Sequence, residues 1–461
     1  MKTIFITLSE DITARNILFT GFWKEFEVQA PKNLKIIFLV QPGRLQYYKD
    51  ILEKENVHVE SFKRLPPQRL ERLIMSLARS GINSKTNLWS KMRSYHRGDS
   101  SWIDTMFKRF LASIFGGLDM YKLFLRKLII SCGSDAHVEL LFTTYKPDAV
   151  FTTSLTNFDF DVLIGREARR KKIKLIGMVR SWDNLSSHGL LRIVPDVFFL
   201  QNIFLKEMAV QYQAIDPKNT SITLVGLPHY DVLKDISKVL EPRETFLKNI
   251  GIDPTKKVIF YGAMGGFLFI HEAEMPSVFN RLIEEKAIPE DALILYRAHP
   301  KFMIDASKMG EYPHVVFDTA GKYVNPESKD VGKNENSHLI NALYHSDVIV
   351  TTASTIAIDA AIMDKPVICT GFDGTTDKSM VQYWESAGRF YDHYTHFEAL
   401  MKTKGARFAK SPAELSYEIK AYLADPSRDR EGRRKIIDQF AAPFDGKAGS
   451  RLAQLVMKEI L

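Results

Sequence analysis

Cysteine is scarce: the 461 residues include only Cys132 and Cys369, far apart and each inside an apolar run. A disulfide framework and a cysteine-built zinc cluster are thereby excluded, and a reducing compartment fits best. Long hydrophobic runs are lacking as well. No stretch reaches the ~18 uninterrupted apolar residues of a membrane-spanning helix. The nearest candidate, residues 110–130, is broken by Asp119, Lys122, Arg126 and Lys127. The strand-like Thr3–Thr7 follows Met1 and Lys2 directly, without the basic, apolar and small-residue succession of a secretory signal, so the expected location is cytoplasmic. Neither an internal repeat nor a low-complexity tract is visible, which removes solenoids and disordered scaffolds. What the chain does have is a hydrophobic fraction of 45% with 11% aromatics, enough to fold without staples. Its length exceeds one ordinary core, and two α/β domains are expected.

Charge is present but unevenly placed. The net value is +8, yet residues 61–130 carry fourteen Lys and Arg against four acids, +10 in all, leaving the rest of the chain at −2. A local basic block suggests an anionic partner surface, whereas uniform basicity would have pointed to nucleic acid. Trp89, Tyr95, Trp102, Phe107, Phe110, Phe115 and Tyr121 interleave with its cations. That composition suits an amphipathic helix peripheral to the inner face of an anionic membrane, and equally the solvated face of an ordinary helical insert. No nucleic-acid module is visible, so nucleic acid is not an expected partner.

Short β-branched or aromatic runs alternate with segments of helical period, the pattern of βαβ units and parallel sheets. Strands are expected at Thr3–Thr7, Lys35–Val40, Val57–Ser61, Ala149–Thr153, Lys174–Val179, Val197–Leu200 and Thr223–Val225. A second series is expected at Val258–Gly262, Leu293–Tyr296, Val315–Asp318, Val348–Thr352 and Pro366–Thr370. Helices are expected between them, among them Ala14–Phe26, Phe160–Arg170, Phe204–Gln213, Glu272–Glu285, Leu339–His345 and Ile356–Met363. The fold class expected is α/β: two doubly wound, Rossmann-like parallel-sheet domains with a central cleft and a helical C-terminal tail. Residues 1–235 form the acceptor-side domain, with the basic helical insert at about 62–130. A linker occupies 236–256, a nucleotide-donor-binding domain 257–440, and residues 441–461 a last helix that packs back on the first domain. Open parallel sheets bind ligands beyond the carboxyl ends of their strands, so the chemistry is expected there.

Four segments carry candidate chemistry at such ends. In the stretch His345–Cys369 a strand leads into the hydroxyl-rich turn Thr351–Thr355 and then a helix. Ser354 and Thr355 there suit a phosphate, and Asp359 one turn on could accept both ribose hydroxyls, although the same residues also make a helix cap. Arg297 and His299, just before Pro300, could neutralise a diphosphate leaving group, or simply pair to hold a loop. Gly265 and Gly266 follow the first strand of the second series, where glycines let backbone approach a diphosphate. The loop Arg180–Gly189 gathers Arg180, Trp182, Asp183, Asn184 and His188, a composition suited to acceptor binding and general-base work. A capped loop with Trp182 as a packing anchor is the plainer alternative. Arg15 and Asn16, after the first strand, could touch the acceptor, or belong to a helix capped by Thr13. Asp159 and Asp161 imitate a metal-binding Asp-x-Asp but lie at a helix start, and no metal site is expected.

The run from Asp347 through Ser354, Thr355 and Asp359 to Pro366 resembles the donor motif of GT-B glycosyltransferases, and more closely that of CDP-glycerol glycerophosphotransferases. Arg297-x-His299-Pro300 is similar to an element of those enzymes and of UDP-sugar 2-epimerases, and Gly226, Pro228 and Asp231 to a turn near their hinge. Asp359 stands where sugar transferases usually have Glu, and Asp364 where Gly is usual; the first points to the polyol-phosphate branch. The turn His188-Gly189 resembles one in which the glycerophosphotransferases have a base.

The resemblance implies a GT-B transferase moving a sugar or polyol phosphate from a nucleotide-sugar or CDP-polyol donor to a cell-envelope glycan or lipid-linked acceptor. It implies no metal and no cofactor, the donor being a substrate. His188 or Asp183 would be the base, and the donor would rest on Gly265, Gly266, Arg297, His299, Ser354, Thr355 and Asp359. The acceptor would meet Arg15, Asn16, Arg180, Trp182 and Asn184. A UDP-sugar 2-epimerase and a catalytically inactive nucleotide-sugar-binding scaffold are the rival readings.

Overall fold

The computed structural model describes residues 2–156, 159–265, 269–299, 310–318, 323–325, 328–329, 333–374 and 381–461. The chain divides into two units: residues 1–234 together with 442–461, and residues 235–441.

The first unit is built on β1 (Lys2–Leu8), β2 (Leu34–Val40), β3 (Val57–Ser61), β4 (Ala149–Thr152), β5 (Lys174–Met178), β6 (Val197–Leu200) and β7 (Ser221–Leu224). All seven run parallel in the order β3-β2-β1-β4-β5-β6-β7. Both faces are covered, which is why Leu34–Val40 reads as a near-continuous apolar run rather than an alternating one. The order reverses between β1 and β4, and the loops leaving these two strands diverge there. Between β3 and β4 the chain makes five helices, Arg69–Arg79, Lys85–His96, Trp102–Ile114, Asp119–Ser131 and Ala136–Tyr145. Ser84, Ser101 and Asp135 start three of them by accepting from an unpaired first-turn amide.

The second unit contains β8 (Lys257–Gly262), β9 (Ala292–Arg297), β10 (Val315–Asp318), β11 (Tyr323–Asn325), β12 (Ser328–Lys329), β13 (Val348–Thr351), β14 (Val367–Thr370) and β15 (Arg407–Ala409). Six of these form a parallel sheet in the order β10-β9-β8-β13-β14-β15, and β11 and β12 pair antiparallel. Two doubly wound parallel sheets and a C-terminal helix are therefore the architecture.

That helix, Ala448–Ile460, belongs to the first core: Leu452, Ala453, Val456, Met457 and Ile460 are buried in one cluster with Phe22 and Phe26. Asp231 holds its start, accepting from the amides of Ala448 at 2.9 Å and Gly449 at 2.8 Å. The Gly226-x-Pro228-x-x-Asp231 turn thus serves the return of the chain. Gly226 has φ +81, and a Cβ there would lie 2.7 Å from the Pro443 carbonyl oxygen, so no other residue fits without strain.

Several elements differ from expectation, among them the antiparallel pair β11 and β12, which the sequence did not suggest. The single helix expected over Ala14–Phe26 is two, Asp11–Leu18 and Gly21–Gln29. Thr20 breaks it by donating to the Asn16 carbonyl at 2.7 Å while accepting from the Phe22 amide at 3.4 Å. The edge strand β15 was not expected, since three residues, Arg407-Phe408-Ala409, carry too little period to read.

Candidate functional site

In the first unit the loop after β5 is shaped by Asn184. Its Oδ1 accepts from the amides of Arg180 at 3.1 Å and Ser181 at 3.0 Å and from the Thr156 hydroxyl at 3.1 Å. With 1% exposure, Asn184 closes the loop from inside and its oxygen is already occupied, whereas the sequence placed it on the acceptor. Trp182 is also buried and packs near Phe204, which makes it an anchor for the loop. Arg180 pairs with Glu10. These contacts bring Asp183 and His188 together: His188 Nε2 lies 3.3 Å from Asp183 Oδ2, within ion-pair range though off the line of a hydrogen bond. Ser187 Oγ donates to the same carboxylate at 3.2 Å. A carboxylate so held fixes the orientation of an imidazole and stabilises the imidazolium formed when that ring takes a proton, as a general base requires.

The far side of the loop is clamped by residues that sequence reasoning missed. Gln213 donates to the carbonyls of Leu185 at 2.7 Å and Gly189 at 3.0 Å and accepts from the Leu191 amide at 2.6 Å. Arg126, buried and pushed down to about 10 by desolvation, donates to the carbonyls of Leu191 at 2.9 Å, Ala214 at 3.4 Å and Gln213 at 2.5 Å. Gly189, at φ +78, lets the loop lie on the end of the helix Arg69–Arg79, since a Cβ would stand 2.6 Å from the Arg79 carbonyl oxygen. His188 thereby faces a cavity of ≈ 180 Å³ whose other walls include Arg79, Asn87, Lys91, Thr156 and Arg192. The basic insert is part of this site.

Arg15 and Asn16 meet His229. Asn16 is buried with Oδ1 3.1 Å from His229 Nδ1, and Arg15 Nη2 approaches the same nitrogen at 3.4 Å. Burial first, then the Arg15 charge, drives the His229 imidazole well below its ordinary pKa. Thr13 makes the helix start, its hydroxyl accepting from the Glu10 amide at 3.2 Å. Asp159 pairs with Arg64 and Arg192, and Asp161 is buried against Thr7 and pushed up to about 6 by desolvation. Among the described residues no group of three or more His, Cys, Asp or Glu is placed to hold a metal ion.

In the second unit, register decides what meets. Gly262 is opposite Arg297 on β9 and opposite Thr351 on β13, so the carboxyl ends of β9, β8 and β13 lie side by side. The 297–299 and 351–359 segments leave the same edge of one sheet. Asp347 sits at the other end of β13, accepting from the Val258 amide at 2.8 Å, and ties strands together. At the shared edge Ser354 Oγ accepts from the Ile356 amide at 3.3 Å, Thr355 is exposed, and Asp359 and His299 are half-buried.

Two donor candidates are engaged within the protein. Arg297, 5% exposed, pairs with Asp318, whose oxygens both lie 3.0 Å from His338 Nε2. Burial alone would raise the Asp318 carboxyl, but the His338 hydrogen bond and the Arg297 charge hold it below its usual value. The Gly265 amide, offered by the sequence to a diphosphate, donates to Glu272, as does that of Met264 at 2.6 Å. Glu272 is fully buried, and desolvation raises it to about 7 against the pull of these amides and the Tyr261 hydroxyl. A phosphate would have to displace it. Gly266 lies outside the described residues.

A family model described as CDP-Glycerol:Poly(glycerophosphate) glycerophosphotransferase matches residues 199–458, more than half of the chain. No curated protein matches the sequence. Among solved structures, UDP-GlcNAc 2-epimerase from Neisseria meningitidis bound to UDP-GlcNAc is 12% identical with a TM-score of 0.54, covering 99% of this chain and 100% of that one. The S. aureus MnaA-UDP co-structure is 13% identical with a TM-score of 0.53, covering 100% of this chain and 98% of that one. The wall teichoic acid polymerase TagF is 14% identical with a TM-score of 0.50, covering 100% of this chain and 89% of that one. At such identities the likeness concerns the fold, which is GT-B.

Proposed function

Because the chain belongs to the CDP-glycerol:poly(glycerophosphate) glycerophosphotransferase family, we propose that this transferase moves a polyol phosphate from a CDP-activated donor to a hydroxyl of a cell-envelope acceptor. The observation that carries the reading is the His188–Asp183 pair, 3.3 Å apart, beside a cavity lined by cations. In the step proposed, the acceptor oxygen bonds to the phosphorus bearing the polyol. The bond from that phosphorus to the CMP oxygen breaks, CMP leaves, and the hydroxyl proton passes to His188. Asp183 steadies the imidazolium that results.

Donor binding is assigned to the strand ends of the second unit, with Ser354, Thr355, His299 and Asp359 as direct contacts. Arg297 acts there chiefly as a positioning residue through Asp318. Acceptors held at a membrane agree with the helices Trp102–Ile114 and Asp119–Ser131, which expose Ile103, Phe107, Phe110, Ile114, Met120 and Phe124. No helix among the described residues is long and apolar enough to cross a membrane; the attachment proposed is peripheral on the strength of these exposed apolar side chains.

The test is CMP release from CDP-glycerol by the full chain with and without acceptor. Release should require acceptor, persist in EDTA, and fall by about 10²-fold or more in kcat in His188→Asn. Release indifferent to both acceptor and His188 would overturn the proposal.

A further inference from the structure

The loop that carries His188 is held in place from outside itself. Gln213 ends the helix Ile203–Gln213 and is 0% exposed. Its Nε2 donates to the Leu185 carbonyl at 2.7 Å and the Gly189 carbonyl at 3.0 Å, so one amide group bridges the chain on either side of His188. Its Oε1 accepts from the Leu191 amide at 2.6 Å. With both ends of the amide engaged, its orientation is fixed.

Arg126 in turn holds the helix end that presents Gln213. Nη2 donates to the Gln213 carbonyl at 2.5 Å, Nη1 to the Ala214 carbonyl at 3.4 Å, and Nε reaches across to the Leu191 carbonyl at 2.9 Å. Ala214, at φ +46, terminates the helix, so the guanidinium sits where unpaired carbonyls and the negative end of the dipole favour a cation. The helical insert adds contacts of its own. The Ser84 hydroxyl donates to the Ser186 carbonyl, and the Leu190 amide donates to the Ala78 carbonyl at 2.9 Å. A Cβ on Gly81 would stand 2.9 Å from the Leu190 Cβ, so the two segments lie in close contact.

We infer that Gln213 and Arg126 are positioning residues for the base, governing turnover through His188 while touching neither substrate. The inference rests on His188 being the proton acceptor of the transfer proposed above. Their hydrogen bonds all end on backbone groups of the loop or of the helix end, so their influence on the imidazole passes through the chain. A general base works only within hydrogen-bond reach of the proton it takes, and a displacement of about 1 Å costs on the order of 10²-fold in rate. Through Arg126 the insert thus takes part in the chemistry without supplying a reacting group.

The experiment measures CMP release from CDP-glycerol by the full chain, with vesicles containing phosphatidylglycerol as acceptor, in Gln213→Met, Arg126→Met and Arg126→Lys, and in the two methionine variants combined with His188→Asn. Each methionine variant should lower kcat about tenfold or more and leave the donor KM within about twofold. Arg126→Lys, which keeps a cation at the helix end, should regain part of that loss. In the His188→Asn background neither methionine substitution should lower kcat further, because the group that they position is gone. A residue that only supports the fold would subtract the same factor in both backgrounds, and that result overturns the inference, as does an unchanged kcat in both methionine variants. Full kcat in His188→Asn is a separate result, which removes the base assignment and this inference with it. Hydrogen exchange read by mass spectrometry tests the clamp without turnover: both methionine variants should lose protection at 184–192 and keep it in β1 and β6. Unchanged protection at 184–192, or loss that spreads to β1, also overturns the inference.

Discussion

At the scale of single residues, Glu272 connects a buried charge to a measurable pH dependence. Desolvation holds its carboxyl at about 7 in the folded chain, against about 4.3 when exposed. Between those values the folded state binds more protons than the unfolded state, so stability falls as pH rises from about 4.5 to 7 and levels off above. The stability lost is on the order of 4 kcal/mol at most. In urea unfolding of the full chain at pH 5 and pH 8, Glu272→Gln should flatten this slope relative to wild type. An identical pH difference in both proteins would show that the carboxyl titrates as if exposed. Glu272 was not legible in the sequence, because an acid in an apparent helix start reads as a surface residue. Only the fold reveals that it closes on the amides of Met264 and Gly265. Gln213 and Arg126 escaped for the same reason: each acts on backbone carbonyls distant in sequence, which no local pattern records. Ser354, Thr355 and Asp183 could be offered as candidates from the sequence because they lie within about five residues of a readable strand end, and His188 because it closes the same polar loop about ten residues on.

At the scale of elements, the helices Trp102–Ile114 and Asp119–Ser131 invert the usual burial rule. Ile103, Phe107, Phe110 and Ile114 recur at helical spacing yet all are more than half exposed, Ile103 at 75% and Phe110 at 55%. A stripe this apolar normally faces a core or a partner. Exposed Arg69, Arg72 and Lys127 lie on the same insert, so the partner proposed is an anionic bilayer surface. The full chain should float with vesicles containing phosphatidylglycerol and stay behind with purely zwitterionic ones, and Phe107→Glu with Phe110→Glu should abolish flotation without shifting the melting temperature. Equal flotation of that double variant would remove these helices from the membrane. The sequence disclosed the aromatic and basic composition of the insert but not which side of each helix is covered, because a 3.6-residue stripe looks the same whether buried or bare. Strands were easier. A parallel strand covered on both faces is a continuous apolar run, and each expected strand ends within one residue of its counterpart among β1–β10 and β13–β14 at the carboxyl end, where the candidate residues sit.

At the scale of the whole molecule, the chain leaves the first unit after Lys234 and returns to it at Ala442. The returning helix supplies Leu452, Val456, Met457 and Ile460 to the first core, each at most 5% exposed. Burying such a side chain contributes about 1.5–3 kcal/mol, so four together rival the ~5–15 kcal/mol that stabilises a typical domain. Gly449 permits the contact, since a Cβ there would lie 2.8 Å from the Phe22 amide nitrogen. Removal of residues 442–461 should therefore unfold or loosen the first unit while the second, whose sheet and helices all lie within 235–441, keeps its own core. Hydrogen exchange read by mass spectrometry separates the two: peptides from β1 and the helix Gly21–Gln29 should lose protection in the truncated chain, and peptides from β8 and β13 should retain it. Uniform loss across both units would mean that they unfold as one cooperative body, and unchanged protection in β1 would mean that the apolar contacts of the last helix contribute little.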